Sequence, residues 1–159
     1  MADFQFKPLT HSPERLNVIT TKLGVRGQAL YSDADVYKAV KMSDNGTHVL
    51  CADGDEIEGF IDNIDAGPTA NLQAVGGVAR GGEGFRVEAQ VAAGATPLVW
   101  GDRVVAGAQV AVGTKNLGNT GLKALAQVKA GEPTEFIYRV INLYTGNGAP
   151  GSTVLLEKL

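Results

Sequence analysis

Val36-Tyr37-Lys38-Ala39-Val40-Lys41-Met42-Ser43, then Asp44-Asn45-Gly46, then Thr47-His48-Val49-Leu50-Cys51-Ala52, is the stretch that decides the fold class. Asn-Gly between two strand-like runs is a strong hairpin signal, because both residues tolerate positive φ. A short helix over 33–41 competes with the first of these strands. Outward from the hairpin, further strand-like runs follow at 57–64, 70–78, 85–91, 98–105, 109–112, 122–128, 135–144 and 153–158, most of them separated by Gly, Pro, Asn or Asp. Short runs at close spacing with such turns predict an all-β protein, a compact antiparallel β-barrel or sandwich.

Two strands carry opposite patterns. In 85–91, Phe85, Val87, Ala89 and Val91 share one face and Arg86, Glu88 and Gln90 the other, the signature of a half-buried antiparallel strand. In 136–143 both faces are largely apolar: Phe136, Tyr138 and Val140 against Ile137, Ile141 and Leu143. The row Ile137, Ile141 and Leu143 is therefore a candidate β interface, covered by a second sheet or by another subunit. The stretch 117–129 is the only helix candidate of merit, and Gly118 and Gly121 argue against it.

The N-terminal segment differs from the rest. Residues 1–24 hold Pro8 and Pro13 and have no glycine before Gly24. Phe4 and Phe6 lie two apart, the spacing of an extended segment with one face buried. The expectation is an extended arm over 1–24, with a strand at 17–23, followed by a β-rich domain over 25–159. Phe4, Phe6 and Leu9 are its candidate partner-binding residues. The opening residues lack a basic and an apolar region, so no secretory signal is expected. No run of 18 apolar residues is present, so no membrane-spanning helix is expected.

Composition narrows the function classes. The chain has 159 residues, with 14 Lys and Arg against 17 Asp and Glu, for a net charge of −3. That balance offers no electrostatic footprint for nucleic acid or an anionic membrane. Cys51 is the single cysteine, so no intramolecular disulfide is expected, and a reducing compartment, or a particle assembled in one, suits it. Glycine is abundant, 21 residues, where usual content is ~7%.

Candidate chemistry is thin. His11 lies in the arm and His48 two residues past the hairpin turn, neither with a plausible chemical partner expected within its strand or loop, and His48 and Cys51 have opposite parity on one strand. Asp53, Asp55, Glu56, Glu58, Asp62 and Asp65 form an acidic cluster, but the calcium-loop spacing fails, and the expectation is a solvated loop with Glu58 and Asp62 on a solvent face. The glycine-rich run 76–84 lacks the Lys-Ser/Thr of a phosphate loop and reads as a loop or bulge. Trp100, the only tryptophan, shares parity with Leu98 and reads as a core or interface anchor. No catalytic, cofactor or metal residues are assigned.

The cadence of Val36–Ser43, 47–52, Gly59-Phe60-Ile61, Gln73-Ala74-Val75-Gly76-Gly77-Val78-Ala79, Ala93-Gly94-Ala95, Gly101-Asp102-Arg103-Val104-Val105 and a late terminal strand resembles the small Gly- and Ala-rich decoration (cement) proteins of tailed-phage capsids. The stretches 116–122, 144–151 and the arm exceed the family pattern. The resemblance implies a non-enzymatic virion protein that binds the outer capsid surface, bridges major capsid protein subunits and acts as a homo-oligomer, a dimer or trimer, made in the host cytoplasm. It transfers no functional residue. The alternatives are a carbohydrate- or receptor-binding β-sandwich module using Trp100 and loop tyrosines, and an enzyme built on the acidic residues 53–65.

Overall fold

Alternation along the hairpin gives a wall with two apolar faces, and both are used. The computed structural model describes residues 6–8, 16–65, 73–92, 95–107, 109–115, 122–124, 137–144 and 146–159. The protein is all-β, with a closed five-stranded barrel beside a curled antiparallel sheet. The barrel comprises β2 (Leu16–Leu23), β3 (Ala39–Met42), β4 (His48–Leu50), β5 (Gly59–Ile64) and β6 (Ala74–Gly81), in the order β2-β4-β3-β5-β6. The sheet comprises β1 (Phe6–Pro8), β7 (Arg86–Gln90), β8 (Arg103–Ala106), β9 (Leu122–Ala124), β10 (Tyr138–Leu143) and β11 (Thr153–Lys158), in the order β1-β7-β11-β10-β8-β9.

Cross-strand register explains the two cores. Val40, Ile61 and Val78 join Leu23, Tyr31 and Ala74 in one buried cluster. Their chain neighbours Ala39, Phe60 and Ala79 point the other way and join Phe85, Val87, Ala89, Leu98, Val104, Tyr138, Val140, Val154 and Leu156 in a second. Ala39 pairs with Phe60 and Phe60 with Ala79, so this wall of the barrel meets the inner face of the sheet. Ala39 and Val40 are thus covered on opposite sides, and that part of the strand has no polar face to show.

The expected hairpin forms around Gly46, with Ser43 N–H bonded to Thr47 O at 2.7 Å. The strand ahead of it is shorter than expected. Ser32 caps a 3-10 turn at Asp33–Asp35 in a reciprocal capping box, and Tyr37 sits at φ +72. The rival helix over 33–41 is thus only this turn. Asp35 and Lys38 are an entirely buried ion pair, Nζ to Oδ1 2.5 Å. Lys38 Nζ also donates to Ala111 O at 3.1 Å, and Asp35 accepts from Gly113 N–H at 3.0 Å. The run 109–112, expected as a strand, is instead the loop that this pair fastens to the barrel.

The glycine run 76–84, expected as a loop or bulge, is a strand as far as Gly81. The reason is close approach: a Cβ on Gly76 would collide with the backbone oxygen of Asn63 on β5. The strand expected at 98–105 begins only at Arg103, because Leu98–Asp102 turns.

The N-terminal segment is partly built into the body. Leu16–Leu23, assigned to the arm, makes eight register pairs with β6 and closes the barrel. A single parallel pair, Leu23 with His48, completes the closure. Phe6–Pro8 pairs antiparallel with Ala89–Val87 at the edge of the chain's own sheet.

Candidate interaction site

The site is built from residues 98–102 and β10. Asp102 N–H donates to Val99 O at 3.2 Å, while Asp102 Oδ2 accepts from Val99 N–H at 2.9 Å. Gly101 occupies the third turn position at φ +85, where type II turns require positive φ. Leu98 below is fully buried and its N–H bonds to Gly148 O at 2.9 Å. Gly101 N–H donates to Val140 O, and Val140 N–H to Asp102 O, both at 2.9 Å. The turn is thus fastened to two elements, and it holds Val99 and Trp100 outward, 59% and 66% exposed. The shared face expected for Leu98 and Trp100 does not form, because the turn breaks the alternation between them. Trp100 is not a core residue.

β10 explains its own pattern. Val140 faces Leu156 and Asn142 faces Leu155, leaving Ile141 as the extra residue of a β-bulge. A bulge shifts strand parity by one. Leu143, opposite Val154, therefore turns inward and packs against the core. The expected single row of Ile137, Ile141 and Leu143 is split: Ile137 and Ile141 are half-buried on their own, and Leu143 belongs with Tyr138 and Val140. Ile141 directly follows Val140, whose backbone holds the Trp100 turn. The turn thus presents an exposed tryptophan on a backbone fastened to the β10 strand that carries the bulged isoleucine.

Phe6 opens β1, while Phe4, Leu9 and His11 lie outside the described residues. Cys51 is buried, and burial pushes its thiol up to about 12, which disfavours the thiolate.

Sequence reading missed a polar chain in the barrel. His48, fully buried, has Nδ1 3.1 Å from Thr21 Oγ1 and Nε2 3.6 Å from Glu58 Oε1. Glu58 Oε1 lies 3.0 Å from Arg80 Nη2, and Oε2 accepts from Met42 N–H at 2.8 Å. Strand parity alone puts Glu58 on a solvent face; it is instead 6% exposed, because Arg80, 22 positions on, neutralises it. The order hydroxyl, imidazole, carboxylate is that of a catalytic triad. Here both carboxylate oxygens are already engaged, by Arg80 and the Met42 amide, and the Nε2 contact exceeds hydrogen-bond length. Burial lowers the His48 pKa, and Glu58 opposes that only in part. The chain is a buried polar cluster in which Thr21 meets Nδ1 of the imidazole, while Nε2 has no hydrogen-bond partner among the described residues. Asp55, in the acidic run, pairs with Lys41 at 2.7 Å. Among the described residues no group of three His, Cys, Asp or Glu is placed to hold a metal ion.

No family model, curated protein or solved structure matches the chain.

Proposed function

We propose that this chain is a structural protein of a tailed-phage particle, which binds the outer surface of the assembled capsid and stabilises the shell by bridging neighbouring major capsid protein subunits. In this reading it works as a homo-oligomer, is made in the host cytoplasm and ends on the virion surface. It acts through surfaces and uses no cofactor. The cadence of residues 36–159 supports the reading. The observation that carries it is the Val99-Trp100 turn, an exposed aromatic held rigid by four backbone hydrogen bonds. Holding such a residue ready lowers the entropy cost of docking.

The experiment is binding of wild type and Trp100→Ala to expanded capsid shells by co-sedimentation. The variant should bind at least tenfold more weakly, about 1.4 kcal/mol, with an unchanged melting temperature. Equal occupancy by both proteins would remove the turn from the interface.

A further inference from the structure

A groove of about 850 Å³ runs between β2, the 24–27 loop and the Asn45-Gly46 turn. Its charge departs from that of the whole chain. The protein carries a net −3, yet the groove is lined by Lys22 and Arg26 and by no Asp or Glu among its described lining residues. Both cations are exposed. Thr20 and Asn45 also line the groove, whereas the Thr21 hydroxyl is engaged 3.1 Å from His48 Nδ1.

The floor is fixed. Gly24 donates its N–H to His48 O at 2.7 Å, and its carbonyl accepts from Thr47 Oγ1 at 3.0 Å and from Gln73 Nε2 at 2.7 Å. The Tyr31 ring lies so close over Gly24 that a Cβ there would collide with it. Lys22 and Arg26, two residues to either side, therefore leave a backbone that is already held. Val25 and Val75 add apolar surface within the groove.

Two cations in a lining with no Asp or Glu among its described residues favour an anion, and Lys offers it a point charge while Arg offers a planar fork. Neutral hydroxyl and amide groups beside apolar patches suit the hydroxyls and C–H faces of a sugar. We propose that this groove binds a saccharide bearing a carboxylate or a phosphate. This site is separate from the Trp100 turn and does not depend on the capsid reading.

The test is titration calorimetry on the full chain with four probes: trigalacturonate, glucose 6-phosphate, neutral maltotriose and triglutamate. At least one anionic sugar should bind more tightly than both maltotriose and triglutamate, and its affinity should fall as salt is raised. Which of the two binds identifies the anion. Lys22→Gln/Arg26→Gln should weaken that binding at least tenfold, about 1.4 kcal/mol, at unchanged melting temperature, since both side chains are exposed. The proposal is overturned if neither anionic sugar binds or if maltotriose binds equally well. It is also overturned if triglutamate matches the sugars, which would mean charge attraction alone, or if the double variant binds like wild type.

Discussion

Phe60 of the barrel and Tyr138 of the sheet meet edge to face, with ring centroids 6.1 Å apart and planes inclined by 76°. This contact joins the two halves at the wall they share, and both rings are essentially inaccessible. Phe60→Ala should cost about 3–5 kcal/mol, the range for emptying a buried aromatic site. The Tyr138 hydroxyl has no hydrogen-bond partner among the described residues, and burial raises its pKa. Tyr138→Phe should therefore leave stability unchanged or raise it, since an unsatisfied buried hydroxyl is unfavourable. Urea denaturation of the two variants checks both signs.

The Asp35–Lys38 pair fastens the 109–113 loop to the barrel end. Lys38→Met strands a buried carboxylate and should destabilise by about 3–5 kcal/mol. Asp35→Asn/Lys38→Met should recover part of that loss, because the substituted amide keeps an acceptor for Gly113 N–H without a charge. Chemical denaturation of both variants measures the recovery.

His48 sets a pH dependence. Burial lowers its folded-state pKa below the ordinary 6.5. Below pH 6.5 the unfolded chain then binds the proton more readily than the folded one. The stability is present above pH 6.5 and is lost as pH falls from there towards the folded-state value. His48→Gln should lose less melting temperature than wild type over that window, a difference read from melts of both proteins in matched buffers.

Gly76 is a tolerance test for the β5–β6 contact. Gly76→Ala sets a methyl group against the Asn63 backbone oxygen, which cannot give way as a flexible side chain can. It should cost about 1–3 kcal/mol, the usual range for overpacking. Gly82→Ala, at a position with open space around it, should be near neutral in the same thermal melts.

Local signals in the sequence were legible and long-range ones were not. The Asn45-Gly46 turn and the alternation of 85–91 are written in neighbouring residues, and both form as read. The run 70–78 announced the first half of β6, but its continuation to Gly81 was hidden because glycine has poor β propensity, and the close approach of Asn63 on the adjacent strand is something no local window reveals. β10 looked apolar on both faces because alternation assumes constant parity, and the bulge at Ile141 breaks it. Glu58 reads as solvent-facing until Arg80 is brought beside it. The Trp100 turn had its marker in Gly101-Asp102, but the parity shared with Leu98 concealed it. The Thr21–His48 contact spans 27 positions, beyond the reach of any spacing rule.

The most direct measurement for the proposed role is cryo-electron microscopy of expanded tailed-phage capsid shells after incubation with the purified protein. The expected result is ordered density on the outer surface at junctions between major capsid subunits, with the 98–102 turn against the shell and an accompanying rise in the shell's melting temperature. Bare shells at saturating protein, or density confined to the interior, would contradict it.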